Sequence, residues 1–297
     1  MALRHAEYAK LAYDRVAEDY DDTFGSEAAV FSVRLNEALA LRPGQRVVDL
    51  ACGTGRNLVD IARVVAPGEV IGVDYSEGML AEARERVEAE GVAATFCHAR
   101  AEEFIAQAPP ESFDVVSMRF VLAYVDWKSV LPGIGRILRR GGRFGLLTSL
   151  SGSIPQFYEL YRRFRKSPEP AWKLFQHTRR DLGATWRIYR QLKDSFGEPS
   201  FITVPESPAQ VIERLELGGL TGVESWTASS RMWFPSGHEA VRWMDVSGYV
   251  THSGMQHLGP TALEFLQSLF AEGLESFREP RGVPIDLVAS GVIADRL

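Results

Sequence analysis

Apolar residues recur at helical spacing near the start of the chain: Ala6, Ala9, Leu11, Ala12 and Val16, then Phe31, Val33, Leu35, Ala38 and Leu39. Residues 5–40 therefore read as helices. Arg42-Pro43-Gly44 makes a turn, and short apolar runs then alternate with helical patterns. Strands are expected at 46–50 and 70–74, with helices at 57–65 and 77–90. Ser76 is placed to cap the second of these helices and Gly91 to stop it. Further strands are expected at 94–97, 113–118 and 143–148, and a helix over about 128–139, ending at Gly141-Gly142. Strands that alternate with helices of this length predict parallel βαβ units, the sheet covered on both faces.

After residue 150 the rhythm changes. Residues 155–196 read as helical and carry many aromatics, among them Phe157, Tyr161, Phe164, Trp172, Trp186 and Tyr189. The sheet rhythm then resumes. Ser207-Pro208-Ala209-Gln210 forms a capping box with proline at the first helical position, so a helix should run to about Leu217. Residues 222–233 are strand-like. Ser236-Gly237-His238-Glu239 is a second capping box, opening a helix through Met244. A helix over 261–277 and a strand over 283–293 complete the pattern. One α/β domain with helical insertions at about 151–200 and 235–280 is expected, and insertions near strand ends are commonly binding lids.

Composition narrows the function classes. With 297 residues and 45% hydrophobic content the chain can bury a full core. Its net charge of −6 argues against a nucleic-acid partner, which normally needs a clustered basic surface. Its two cysteines, Cys52 and Cys97, lack metal spacing, which favours a reduced, cytoplasmic protein. The charged stretch MALRHAEYAKLAYDRVAEDY has no apolar core of a signal peptide, and none is expected. No apolar run reaches bilayer length, so no membrane partner is expected either.

The candidate chemistry lies in VVDLACGTGRNLVDIA, from Val47 to Ala62. Gly-x-Gly after a strand suggests a dinucleotide loop, but the third glycine of that fingerprint is replaced by Leu58. Asp49 is the stronger objection. A carboxylate at the strand's end repels a doubly anionic pyrophosphate and suits a cationic ligand. S-adenosylmethionine (SAM) meets that demand, with a sulfonium, an ammonium and a single carboxylate. Gly53 and Gly55 would allow close backbone approach, and the helix N-terminus near Arg56 could help hold the carboxylate. Asp74 ends the next strand, where an acidic residue takes ribose hydroxyls in the doubly wound fold.

VVDLACGTGRNL, VIGVDYSEGMLAEAR, RAEEF, FDVVSMRFVLAYVDW and LRRGGRFGLLT together resemble the class I SAM-dependent methyltransferases. Within them the chain is most similar to the small-molecule type 11 group, which includes ubiquinone- and menaquinone-biosynthesis-like enzymes. The resemblance covers residues 8–150 well and the rest loosely. It implies a Rossmann-like, mostly parallel seven-stranded sheet with helices on both faces and helical lid insertions. It also implies an N-terminal helical cofactor lid at 1–40 and a SAM-binding core at 41–150. A substrate lid would follow at 151–200, and 201–297 would complete the sheet. Asp49, Ala51, Gly53 and Gly55 would meet the methionyl part of SAM, and Asp74 its ribose. Tyr75 and Met79 would flank the adenine, with Ala101 and Glu102 on the adenine-edge loop. Where the family often has an aspartate accepting from the adenine amine, this chain has Arg100, which cannot accept. Glu102 or a backbone carbonyl must then do so. YDRVAEDYDDTF resembles the cofactor-covering helix and brings in Tyr13 and Tyr20. Arg119 falls near the methionyl end.

The implied activity is methyl transfer to a small molecule, with O-methylation of a bulky or aromatic specialised metabolite favoured. A hydroxyl acceptor would need a base, for which His252, His257 and His177 are the candidates. The His252–His257 spacing is not a helical metal pair, and no metal is expected. C- or N-methylation, a cyclisation in which SAM is not consumed, and a non-enzymatic SAM-binding protein are the competing readings. A homodimer is compatible with the sequence.

Overall fold

The computed structural model describes residues 2–22, 26–167, 169–178, 181–195, 205–246 and 258–297. The chain opens with α1 (Ala2–Tyr20) and α2 (Ser26–Leu39). There follow β1 (Arg46–Leu50), α3 (Arg56–Val65), β2 (Glu69–Asp74), α4 (Glu77–Ala89), β3 (Thr95–His98), α5 (Ala101–Gln107), β4 (Phe113–Arg119), α6 (Trp127–Ile137) and β5 (Leu138–Ser149). Then come α7 (Pro155–Lys166), α8 (Glu169–His177), α9 (Leu182–Ser195), α10 (Pro208–Leu217), β6 (Thr221–Phe234), α11 (Gly237–Val246), α12 (Pro260–Leu274) and β7 (Val283–Asp295). The seven strands form one sheet in the order β3-β2-β1-β4-β5-β7-β6. β1 pairs parallel with β2 and β4, while β7 runs antiparallel to β5. The expected mostly parallel, Rossmann-like sheet is therefore present.

Local chemistry explains most boundaries. The Ser76 side chain accepts from the Met79 N–H at the start of α4, and Ser207 accepts from Gln210 at the start of α10. Gly91 takes the left-handed conformation, with φ +63°, just past α4. One reading needs correction. The segment expected to be an adenine-edge loop is the helix α5, whose first residues are Ala101 and Glu102. Its buried positions, Ala101 and Ile105, are one turn apart, and two turns are too few for a period to show in sequence. The aromatic stretch after residue 150 is helical as expected, as three helices, α7 to α9.

The chain divides into two compact units. The first comprises Met1–Ser151, Thr203–Ala228 and Ala289–Leu297. Its core sits between the sheet and α6: Val48, Leu50, Val116, Met118, Phe144 and Leu146 meet Val130, Leu131, Ile134 and Ile137. The α6 residues recur at helical spacing and form one apolar stripe. The second unit comprises Gly152–Ile202 and Ser229–Val288. Its core gathers Leu160, Phe164, Leu174, Phe265, Leu269 and Phe270. Phe157 stacks on Phe270 with ring centroids 4.2 Å apart, so part of the aromatic stretch is packing. Trp172 and Trp186 are instead exposed. Among the described residues no helix is long and apolar enough to cross a membrane.

Candidate functional site

The first unit reverses its strand order between β1 and β4, where doubly wound sheets hold ligands beyond the strands' carboxyl ends. An open cavity of about 820 Å³, counting the solvent space at its mouth, lies in this unit. Its lining includes Ala51 and Gly53 after β1, Asp74 and Tyr75 after β2, and Arg119 at the end of β4. Tyr13 and Tyr20 line it from α1, Met79 from α4, and Ala101 and Glu102 from α5. Ten of the cofactor residues expected from sequence thus share one cavity wall.

The loop after β1 is shaped by left-handed backbone at Ala51, Gly53 and Gly55, with φ +60°, +56° and +76°. The two glycines serve different ends. Gly53 lines the cavity and donates its N–H to Asp74 Oδ2 at 2.9 Å. Gly55 does not line it. A Cβ there would stand 2.9 Å from the Ala83 Cβ, so Gly55 permits α3 and α4 to approach. The other Asp74 oxygen accepts the Ser76 N–H at 2.9 Å. Both oxygens are therefore fixed by backbone, each with capacity for one more donor. Burial pushes the Asp74 carboxyl above the usual range, and the backbone N–H groups oppose that shift.

Asp49 is placed differently from the sequence expectation of direct ligand contact. It is only 2% exposed and is absent from the cavity lining. Arg119 Nη1 donates to its Oδ1 at 2.9 Å and also to the Ser117 hydroxyl, while Nη2 donates to Asn36 at 2.6 Å. Burial pushes the Asp49 carboxyl up, against the pull of the Arg119 charge. Arg119 itself is nine-tenths buried and lines the cavity, and its Nε has no hydrogen-bond partner. An orphaned buried guanidinium donor fits a ligand carboxylate. Asp49 thus pairs with a residue of the cavity lining without belonging to that lining itself.

The helix α1 is tied down beside this wall. Asp14 accepts from the Ser76 hydroxyl at 2.6 Å and from the Gly78 N–H at 3.2 Å. Asp21 accepts from the Thr54 hydroxyl at 2.9 Å and pairs with Arg86. Tyr75 stacks on His98 with centroids 6.1 Å apart. Glu102 accepts from Arg100 at 3.4 Å and from the Asp126 N–H at 3.1 Å.

Sequence reasoning missed Tyr124, Phe120 and Val121, which line the cavity just beyond Arg119. Phe120 holds φ +54°, a conformation rare for a bulky residue. No local spacing could have flagged Tyr124. It is paired with Tyr13 across 111 residues of sequence. Of the three candidate histidines, His177 alone is among the described residues. His252 and His257 lie outside the described residues. His177 ends α8 in the second unit, its exposed ring 5.4 Å from that of Phe265. Cys52 is buried and its thiol is pushed well up by burial and by the Asp74 and Asp49 charges, which disfavours the thiolate. Among the described residues no His, Cys, Asp and Glu side chains group as a metal site.

Comparison with known proteins places these features. A family model described as a methyltransferase domain matches residues 47–142. A demethylmenaquinone methyltransferase of Staphylococcus aureus is 30% identical over 185 residues, 59% of this chain and 75% of that protein. One from Symbiobacterium thermophilum is 35% identical over 144 residues, 46% of this chain but only 57% of that relative. Among solved structures, the YcgJ protein from Bacillus subtilis superposes with TM-score 0.55 at 15% identity, covering 89% of this chain and 97% of the other. A phosphoethanolamine N-methyltransferase 2 of Haemonchus contortus, in complex with S-adenosyl-L-methionine, gives TM-score 0.52 at 16% identity, covering 95% and 57%. At these identities the two structures establish a shared fold.

Proposed function

The chain belongs to the class I SAM-dependent methyltransferases, and from that premise we propose that it methylates an oxygen of a bulky or aromatic specialised metabolite in the cytoplasm. The observation that carries the site assignment is Asp74. Its two oxygens are fixed by backbone N–H groups at the end of β2, on the wall of the cavity. That is the arrangement needed to accept both ribose hydroxyls. Arg119 Nε takes the carboxylate, Tyr75 and Met79 flank the adenine, and Asp49 keeps Arg119 in place. The relatives' name, demethylmenaquinone methyltransferase, supports an acceptor of quinone-like bulk.

Bound there, SAM supplies an electrophilic methyl that an acceptor takes by in-line displacement, leaving S-adenosylhomocysteine. The protein's part is placement and exclusion of water. Well-oriented reactants gain up to about 7–11 kcal/mol from proximity alone. A neutral hydroxyl acceptor also needs a base, and we assign that part to one of His252, His257 and His177. Turnover of a panel of phenols and hydroquinones with saturating SAM, followed by mass spectrometry, tests both statements. A gain of one methylene on oxygen with stoichiometric S-adenosylhomocysteine is expected, and one of the three His→Ala variants should lose about 100-fold or more. Methylation on carbon or nitrogen, or an acceptor cyclised without S-adenosylhomocysteine, would overturn O-methylation. Near-wild-type rates in all three variants would remove the histidine base.

A further inference from the structure

The helix α9 carries two apolar stripes. One holds Ile188 and Leu192, which are buried within the second unit. The other holds Leu182, Trp186 and Tyr189, spaced four and three residues apart, and it faces solvent, with exposures of 74%, 59% and 37%. The Trp186 and Tyr189 rings stack with centroids 5.8 Å apart, so the bare stripe is a joined aromatic surface. The helix is fixed at its start, where Asp181 accepts from the Gly183 and Ala184 N–H groups at 2.8 and 3.0 Å. Arg187 and Arg190, next in sequence to the two rings, are exposed. Across α7, α8 and α9 eight lysines and arginines meet three acidic residues, in a chain whose net charge is −6. Among the described residues, the ion pairs of these helices take Arg162, Arg163 and Lys173, and the two α9 guanidinium groups stand outside them.

We propose that this face of α9 docks the protein on an anionic lipid surface, with Leu182, Trp186 and Tyr189 entering the headgroup boundary and Arg187 and Arg190 meeting lipid phosphates. The sequence expectation of no membrane partner rested on spanning length, which a helix lying in the interface does not need. Trp and Tyr suit that boundary because each has an apolar ring and a polar edge. Arginine suits it too. Its stem lies along the apolar layer while the guanidinium donates to phosphate oxygens. Charge complementarity selects the partner: an anionic leaflet repels an acidic chain as a whole, so attraction is confined to the basic helices. The same charges disfavour a second copy seated on this face, because a two-fold interface would bring two basic faces together. Docking brings the chain to acceptors that partition into lipid, as bulky apolar ones do. The inference concerns the second unit and stands apart from the cofactor reading.

Co-sedimentation of the full chain with lipid vesicles tests this. Vesicles of phosphatidylcholine with about 40% phosphatidylglycerol should pellet the chain, and pure phosphatidylcholine should bind it about 30-fold more weakly. Salt at about 0.5 M should remove most of that difference. Trp186→Ala should weaken binding to the anionic vesicles about 10-fold. The double variant Arg187→Gln/Arg190→Gln should weaken it about 30-fold. All three positions are exposed, so each variant should melt as the wild type does, read by circular dichroism. No pelleting of the wild-type chain with anionic vesicles, equal pelleting with both lipids, or folded variants that bind as the wild type does would overturn the docking surface. A wild-type dimer in sedimentation velocity that Trp186→Ala dissociates would assign this face to a second copy and overturn it as well. No arm reads SAM binding, so failure here leaves the cofactor reading standing.

Discussion

Asp49→Ala should lower the unfolding free energy by about 3–5 kcal/mol. Arg119 is buried, its Nη1 donates to Asp49 at 2.9 Å and to Ser117, and its Nη2 donates to Asn36. Removing the carboxylate leaves a guanidinium that cannot shed its proton at accessible pH and has lost the counter-charge it contacts, with Asp60 as the remaining negative group that acts on it. Urea unfolding read by fluorescence measures the loss. The double variant Asp49→Ala/Arg119→Met removes both charges and should recover a large part of it, because the cost lies in the orphaned partner. A single variant within about 0.5 kcal/mol of wild type would mean that the pair does not hold β1 to β4. The same variant should weaken SAM, since Arg119 would no longer be held in place.

Asp74→Ala should weaken SAM by about 30-fold or more. Two hydrogen bonds from ribose to an ionised acceptor are worth about 1.5–3 kcal/mol each, less what water returns in the free protein. The substitution also strips the Gly53 and Ser76 N–H groups of their acceptor, which loosens the loop that shapes the cavity. A pH dependence follows from the same carboxylate. Its folded value is already raised by burial, and hydroxyl donors favour the ionised form, so ligand binding lowers it. Binding is therefore full at a pH above the raised value of the free protein and weakens as pH falls through it. That decline should begin at higher pH than for an ordinary aspartate, and the Asp74→Asn variant should lack it. Calorimetry over a pH series reads both effects. Undiminished affinity in Asp74→Ala would remove the ribose assignment.

The parts of this site that sequence revealed are those written in consecutive residues. The strand, glycine loop and helix from Arg46 to Val65 follow local spacing, and so does Asp74 at the end of β2. The serine caps of both expected capping boxes in the later half, Ser207 and Ser236, were also readable, since a cap and its target are three residues apart. What failed to show was long-range. Asp49 and Arg119 are 70 positions apart, and nothing in either strand announces their pairing. Asp49, expected at the ligand, pairs with Arg119, which lines the cavity where Asp49 does not. Gly55 read as a ligand-facing glycine, but its constraint is the approach of Ala83. Helix α5 stayed hidden because two turns give too short a pattern.

The charge argument against a dinucleotide also changes form. The Asp49 carboxylate is neutralised in place by Arg119, so the negative charge that the end of β2 presents to the cavity is that of Asp74, whose oxygens accept from the Gly53 and Ser76 N–H groups. Asp74 suits the ribose of either ligand, so the discrimination lies in Leu58, which replaces the third glycine of the dinucleotide fingerprint, and in Arg119, whose one orphaned buried donor is enough for one carboxylate. The central claim is that this loop selects a cationic nucleoside over a pyrophosphate. Side-by-side calorimetric titration of the wild-type chain with SAM and with NAD tests it most directly. Saturable binding of one SAM per chain, with no binding of NAD, is the predicted result. NAD binding as tight as SAM, or no SAM binding at all, would contradict it.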